Sequence, residues 1–293
     1  MVADGRMVFK DTTAFRLTME HLQGLSLEEV GEWDGKNGIA SLLEKYEQVE
    51  ADSTKETLGL DSLFTTGQLL CIPDSRLAAV LNQEGVLQIG EVIFKTKQRE
   101  VFAIPATRTD LLQKADWANP AVTRYEVKFD FWNKKTDPRP IITVTDPNTS
   151  QPVAARYGNF FGWSERDQPS DQHGNLMPTT WNNRPTRMKC IQWNVSWPYY
   201  SSVGVRTKYQ FKSRVGGWKK TDASHLWASG QFDYRIVGVG PITYAGGGNQ
   251  AWGTEAVEHT IASTSVPGAF YFLEQSWSTH SATYRNATAF LLF

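Results

Sequence analysis

The chain has 293 residues, of which 40% are hydrophobic and 21% are charged, so it is long and apolar enough to bury a sizeable core. This composition excludes a mainly disordered chain, and since no apolar run approaches ~20 residues, we expect no transmembrane segment. The net charge of −1 makes a nucleic-acid partner the least favoured one.

The two parts of the chain carry opposite charge. Residues 1–117 contain 12 Lys or Arg against 19 Asp or Glu, a balance of −7, whereas residues 118–293 contain 18 against 12, a balance of +6. Such a split favours attraction either between the two parts of one chain or between neighbouring subunits. We therefore expect a helical and hairpin N-terminal region over 1–117 and a β-rich domain over 118–293.

Capping signals divide the first part into helices. Thr12 and Thr13 can cap a first helix that ends near Gly24, and Ser26 with Glu29 matches the capping box of a second. Asp74 is placed to cap a further short helix. Apolar positions at helical spacing predict a third helix in between, with the stripe Ile39, Leu42, Leu43, Tyr46 and Val49.

A β-hairpin is predicted after this region. Gly85 can turn the chain into a strand over 86–97, and Gln98 with Arg99 can turn it again into the strand 100–104. Gly90 inside the first strand indicates a bulge or a close backbone approach. The sequence therefore predicts a hairpin that packs beside a helix.

Residues 81–95 carry a resemblance to a known group. Their pattern Leu-Asn-x-x-Gly-x-Leu-Gln-Ile-Gly-x-x-Ile-Phe-Lys resembles a segment of uncharacterised secreted and surface proteins of Bacteroidota. The likeness extends over roughly residues 4–104 and 199–232. Because that group has no assigned activity, the resemblance implies a secreted or surface location and no chemistry.

From residue 118 the apolar period changes to two, which is typical of strands. The candidate strands are 125–132, 141–145, 188–197, 203–215, 226–237, 259–264, 270–277 and 287–293, with long loops at 146–187 and 238–257. Many short strands without a convincing helix favour an antiparallel β-sandwich. The predicted fold class is therefore α+β, with a helical and β-hairpin N-terminal part and a C-terminal antiparallel β-sandwich.

A basic stripe lies in the strand 203–215, because alternate residues share one face of a strand. It consists of Arg206, Lys208, Gln210, Lys212 and Arg214, and Trp218, Lys219 and Lys220 follow it. The stripe is either a solvated sheet face or a surface that binds an acidic polysaccharide, a lipid headgroup, a nucleic acid or the acidic part of a neighbouring subunit.

Aromatic and apolar residues suggest two further surfaces. Exposed Trp side chains in a row would stack on sugar rings, whereas inward-facing ones would fill a core, and the spacing of Trp193 and Trp197 favours the core for that pair. The chain ends with Phe290, Leu291, Leu292 and Phe293. These residues must be buried in their own sheet or against another chain, since exposed apolar area is costly.

Few residues point to chemistry. Asp167, Asp171 and His173 are weak candidates for a metal site, and a solvated loop is the favoured explanation for them. Cys71 and Cys190 match no ligand spacing, so we expect buried thiols, with a single disulfide as the alternative. We expect no cofactor and no catalytic residue.

The sequence thus predicts a non-enzymatic extracellular or surface structural protein that self-associates, for example as a filament subunit. The alternative is a carbohydrate-binding or adhesin-like module that uses exposed Trp and the basic strand face. The N-terminus lacks the charged and apolar layout of a signal peptide, so we expect either an export signal already removed or a cytosolic start.

Overall fold

The computed structural model describes residues 1–51, 63–64, 67–97, 100–126, 156–160, 163–169, 186–213, 216–236, 243–266, 271–284 and 287–292. It contains helices and mainly antiparallel sheets, which confirms the mixed α and β class. The helices are α1 (Thr12–Gln23), α2 (Leu27–Lys36), α3 (Leu42–Ala51), α4 (Ser75–Val80) and α5 (Thr109–Lys114).

The strands form three sheets. The first contains β1 (Val2–Ala3), β2 (Arg6–Phe9), β3 (Val86–Ile89), β4 (Val92–Thr96), β5 (Glu100–Pro105) and β6 (Thr123–Glu126), in that order. The second contains β7 (Arg156–Phe160), β8 (Trp163–Pro169), β9 (Thr186–Trp197), β10 (Tyr200–Ser213) and β11 (Gly216–Lys220), with β14 (Ala256–Thr264) also on β10. The third contains β12 (Ala223–Ile236), β13 (Thr243–Thr254), β15 (Tyr271–Tyr284) and β16 (Ala287–Leu292), in the order β13, β12, β15, β16.

Helices α1 to α4 pack between the first and second sheets. One buried cluster joins Phe9 of β2, Phe15 of α1 and Leu77 of α4 to Trp193 and Trp197 of β9. The ring of Phe15 meets the rings of Tyr199 and Tyr200 edge-on, at centroid distances of 6.1 and 6.2 Å. The other face of the first sheet packs on α5 through a smaller cluster of Val86, Ile93, Ile104 and Leu111.

The second and third sheets share another core. Met188, Val205 and Tyr209 of the second sheet pack with Leu226 and Phe232 of the third. Trp193 and Val205 are both nearly fully buried, yet they belong to different clusters, because adjacent sheet positions point to opposite faces. The second sheet is therefore covered on both faces, by helices on one side and by the third sheet on the other.

Several local predictions are confirmed. Ser26 and Glu29 form the capping box of α2, and the Asp74 side chain caps α4 by accepting from the backbone N–H of Arg76 and Leu77. Trp193 and Trp197 belong to the core. Cys71 and Cys190 are both buried thiols.

Other predictions need correction. The cap of α1 is Asp11, whose carboxylate accepts from the N–H of Ala14, because the helix begins one residue earlier than the threonines suggested. The strand predicted over 86–97 is a hairpin of β3 and β4, and Gly90 lies in its turn with φ of 56°.

The two predicted loops also contain strands. β7 and β8 form a hairpin inside 146–187, while β13 and the start of β14 occupy most of 238–257. Strand β6, whose residue Tyr125 was assigned to the second part, pairs with β5 and so belongs to the first sheet. The predicted strand 141–145 lies outside the described residues.

Candidate functional site

The predicted basic stripe meets acidic residues inside the molecule. Arg206 is 7% exposed and Glu258, its neighbour across β10 and β14, is 1% exposed. The Arg206 guanidinium bonds both Glu258 and the Ser75 hydroxyl, the latter at 2.7 Å, while Arg76 binds the other Glu258 oxygen at 2.6 Å. One buried carboxylate therefore links helix α4 to the second sheet.

A second ionic cluster fixes helix α3 to the same sheet. Lys208 contacts Glu50 at 3.1 Å, and Lys220 contacts Glu50 at 3.1 Å and also binds Glu47. Burial alone would raise the pKa of Glu50, but Lys208 and Lys220 lower that pKa to about 2. The carboxylate of Glu50 is therefore ionised throughout the physiological range and holds both lysines.

These contacts correct the prediction that the whole stripe faces water or an external ligand. Arg206 and Lys208 lie under the acidic helices, because the N-terminal part covers this face of β10. Lys212 is exposed and Lys219 is half-buried. Trp218 is half-buried under the Arg187 guanidinium, which lies 4.5 Å from its ring centroid, and Arg214 lies outside the described residues.

An aromatic surface covers the outer side of the third sheet. In β12, Leu226, Ala228 and Phe232 are buried, so the intervening odd-numbered residues lie on the opposite face. The strand register places each exposed aromatic on this same face. In β13, Tyr244 lies opposite Asp233 and Trp252 lies opposite His225. Trp277 of β15 lies opposite Gln231, and Phe290 of β16 lies opposite Ser281, which itself pairs with Trp227. Tyr244, Trp252, Trp277 and Phe290 are 58%, 66%, 41% and 39% exposed and share this face.

Polar groups lie between these rings. The His225 and Trp252 rings are 5.0 Å apart, and His225 Nε2 lies 3.2 Å from the Gln250 side-chain oxygen. The Trp227 indole N–H donates to the Ser229 hydroxyl at 3.0 Å. The surface thus alternates flat apolar rings with amide, imidazole and hydroxyl groups.

Of these four aromatics, the sequence singled out Phe290, as part of the apolar terminus. Tyr244 and Trp252 fall in the predicted loop 238–257, where no face could be assigned. Alternation along β15 was the available signal, since Ser278, His280 and Ala282 are buried while Trp277 is exposed.

The C-terminal apolar residues lie on and after the edge strand β16. Among the described strands, β16 pairs with β15, so that Phe290 lies opposite Ser281 and Leu291 lies opposite His280. Leu292 pairs with Thr279, and Phe293 lies outside the described residues. The terminal strand therefore pairs within its own sheet, but Phe290 remains 39% exposed, so the expected burial of this side chain within the chain is wrong.

The weak metal candidates are not brought together by the described part of the chain. Asp167 lies in β8, opposite Lys189 of β9, while Asp171 and His173 lie outside the described residues. Within the described residues, no group of three or more His, Cys, Asp or Glu could hold a metal ion. Helices of the length and hydropathy needed to cross a membrane are likewise absent from that part of the chain.

Comparison with known proteins gives little guidance. No protein-family model matches the chain, and no curated protein matches its sequence. One solved structure, a DUF4848 family protein from Bacteroides thetaiotaomicron, is similar over 99% of this chain and 97% of that chain, with 10% identity and a TM-score of 0.24. At this TM-score the similarity supports no conclusion on fold or function, so the resemblance to Bacteroidota surface proteins stays a prediction.

Proposed function

We propose that the chain is a non-enzymatic, secreted or cell-surface protein that binds a carbohydrate on the outer face of the third sheet. The observation that carries the proposal is that Tyr244, Trp252, Trp277 and Phe290 all lie exposed on that one face. Soluble proteins rarely expose several large aromatics together without a partner for them.

The chemistry of the face fits a sugar. The C–H faces of a pyranose ring pack on aromatic rings, and its hydroxyls need hydrogen-bonding groups beside those rings. Gln231, Gln250 and His225 lie beside the aromatics and can supply both donors and acceptors.

The charge of the face favours a neutral glycan. Among the side chains described on this face, Asp233 is the one Asp, Glu, Lys or Arg. The basic residues that could have attracted an acidic polysaccharide are Arg206, Lys208 and Lys220, and these are paired with Glu258, Glu50 and Glu47 inside the chain. An acidic polymer would therefore gain little from them.

The packing of the third sheet is consistent with carbohydrate binding on its outer face. The second and third sheets share one buried cluster, which supports the interpretation of the C-terminal part as a β-sandwich. With its inner side committed to that core, the third sheet has one face left for a ligand.

Glycan retention tests the proposal. Affinity electrophoresis through gels containing neutral polysaccharides, chosen from a glycan-array screen, should retard the wild-type chain. Trp252→Ala and Trp277→Ala should each weaken binding about tenfold, because each removes a stacking surface. Tyr125→Ala, which removes a 38% exposed aromatic from the first sheet, is the matched control and should bind like wild type.

The opposite result is equally clear. If no glycan on the array is bound, or if both Trp variants bind as tightly as the wild type, the third-sheet face is not a carbohydrate site.

Self-association is the second candidate function, and strand β16 is the observation that favours it. Among the described strands, β16 lies at the end of the third sheet, and its residue Phe290 is 39% exposed. Edge strands offer backbone donors and acceptors to another chain. We propose that such pairing, rather than attraction between the two charged parts of neighbouring chains, would join copies of this protein.

A further inference from the structure

The aromatic rings on the outer face of the third sheet fall into two groups. Tyr244 of β13 lies opposite Asp233 of β12, and Trp277 of β15 lies opposite Gln231 of the same strand. These two rings therefore lie towards the C-terminal end of β12, and we call them the Tyr244 group.

The second group lies towards the N-terminal end of β12. Trp252 of β13 lies opposite His225, and Phe290 of β16 lies opposite Ser281, which itself pairs with Trp227. Trp227 is half-buried on the same face. We call Trp252, Trp227 and Phe290 the Trp252 group.

Strand geometry sets the distance between the two groups. Trp252 lies opposite His225, and Trp277 lies opposite Gln231, which is six residues further along β12. At about 3.4 Å per residue, the two indoles are roughly 20 Å apart along the strands. A single pyranose is no larger than one indole, so one sugar unit contacts one group and cannot reach the other.

Small residues occupy the midpoint between the groups. Gly248 of β13, Ser229 of β12 and Thr279 of β15 lie side by side there, and we call them the midpoint row. A Cβ atom at Gly248 would lie 2.5 Å from the Ser229 Cβ, so the backbones approach too closely for a side chain at that position. The path from one group to the other is therefore low and flat across these three strands.

One ring of each group leans towards the midpoint row. The Tyr244 hydroxyl lies 3.7 Å from the position that a Cβ of Gly246 would take, and Gly246 lies between Tyr244 and Gly248 on the exposed side of β13. From the other group, the Trp227 indole N–H donates to the Ser229 hydroxyl at 3.0 Å. A ligand that passes from one group to the other thus stays in contact with the sheet.

Hydrogen-bonding groups accompany the rings along this path. Gln231 lies beside the Tyr244 group, while Gln250 and His225 lie beside the Trp252 group. Ser229 and Thr279 contribute hydroxyls between them. Sugar hydroxyls therefore find donors and acceptors over the whole distance and not at a single point.

We propose that this face binds an extended, unbranched stretch of neutral glycan that crosses from the Tyr244 group to the Trp252 group over the midpoint row. The inference rests on the proposed carbohydrate binding and deepens it, since it names the ligand as a chain of several sugar units and not a single terminal sugar. Neutral β-1,4-linked chains have the required shape, because their equatorial linkages keep successive rings in a flat ribbon. Chains with α-1,4 linkages coil and cannot lie flat on both groups.

A length series tests the proposal without any mutation. Isothermal titration uses β-1,4-linked oligosaccharides of glucose, mannose and xylose, from the disaccharide to the hexasaccharide. In the series that binds, the hexasaccharide should bind at least roughly tenfold more tightly than the disaccharide, because it stacks on rings of both groups. The α-1,4-linked glucose hexasaccharide should gain no such affinity over its disaccharide.

A variant that blocks the path connects the length dependence to the midpoint row. Thr279→Tyr places a large side chain there and keeps a residue of high strand propensity. It should lower the affinity for the hexasaccharide to that for the disaccharide, and leave the disaccharide affinity unchanged. Thr243→Tyr is the matched control and should bind like wild type, because exposed Thr243 lies opposite buried Tyr234 and so belongs to the other side of the sheet. Thermal melts verify that both variants are folded.

The outcomes separate this inference from the proposed function. If a disaccharide binds as tightly as the hexasaccharide, or if folded Thr279→Tyr protein binds the hexasaccharide as the wild type does, the face takes a single sugar unit. The inference is then overturned while carbohydrate binding stands. If no member of the three β-1,4 series binds, the inference is also overturned, and the glycan-array screen decides separately whether the face binds carbohydrate.

Discussion

Glu258 is a single carboxylate on which two buried arginines depend. It contacts Arg76 of α4 and Arg206 of β10, and one of its oxygens also accepts from the backbone N–H of Ser75 at 3.2 Å. Burial would raise the pKa of Glu258, but Arg206 and Arg76 hold that pKa below its ordinary value. Asp74 lies close by and accepts from the hydroxyls of Tyr200 and Ser202, both at 2.8 Å. Burial, and then the charge of Glu258, raise the pKa of Asp74, so Glu258 is the counter-ion on which the two arginines rely.

Replacing Glu258 by Gln should destabilise the protein by about 3–5 kcal/mol, because two buried guanidiniums would lose their counter-ion. Urea unfolding followed by Trp fluorescence at pH 7 measures the difference. Glu20→Gln, which breaks an exposed helical pair with Arg16, is the control and should change stability by at most about 0.5 kcal/mol.

The pH dependence of this loss gives a second check. Since the folded-state pKa of Glu258 lies below its ordinary value of 4.5, the stabilisation is present above that value and is lost as pH falls through the folded pKa. The difference between wild type and Glu258→Gln should therefore shrink in acid. A loss below about 1 kcal/mol at pH 7 would show that the junction does not depend on this charge.

For single residues, the sequence predicted which side chains share a strand face better than it predicted what covers that face. The alternation around Arg206 correctly groups it with Lys208 on one strand face, but alternation alone does not reveal what covers that face. The excess of acid in residues 1–117 was the available signal for a covering helical layer. Glu258 was not singled out, since nothing in its local sequence marks it as buried.

Elements with strong local signals were predictable. The capping boxes and apolar stripes gave α2 and α3, and alternating apolar residues gave β9, β10 and β12. Strand β13 was missed because its centre is Gly246, Gly247 and Gly248, which resemble a turn and have low β-propensity. Its register along β12 explains the strand, because Ser229, Gly230 and Gln231 lie opposite these glycines. Pairing with a neighbour outweighed local propensity there.

The edge strand β16 permits a prediction about assembly. If copies of the chain pair through this strand, multi-angle light scattering should show a mass above the monomer that rises with concentration. Phe290→Asp should shift the protein to a monomer, because a charge on an edge strand opposes pairing with another strand. Leu17→Asp, at a 54% exposed position on α1, is the control and should assemble like wild type.

The salt dependence of association distinguishes pairing through β16 from attraction between charged parts of neighbouring chains. The ion pairs between acidic helices and basic strands lie within one chain, so association through β16 should persist at high ionic strength. A monomer at every concentration, or assembly that dissolves in salt, would contradict pairing through this strand.

For the whole molecule, ion pairs within the chain explain why residues 1–117 and 118–293 carry opposite charge. Glu47 and Glu50 of the acidic part bind Lys208 and Lys220 of the basic part, and Arg76 shares Glu258 with Arg206. The largest buried cluster also contains residues from both parts, such as Leu22 and Leu77 together with Trp193. The composition predicted the attraction, but deciding between partners within and between chains required the positions of the side chains.

A shared core has a consequence for unfolding. Because the helices and the second sheet bury the same cluster, separating the part before residue 118 from the part after it would expose apolar side chains on both. We therefore expect one cooperative transition in differential scanning calorimetry, with equal calorimetric and van't Hoff enthalpies. Glu258→Gln, which weakens the junction, should lower the temperature of the entire transition rather than split it. Two separate transitions, or a stable fold in an isolated fragment of residues 127–293, would show that the two parts are independent domains whose contact adds little stability.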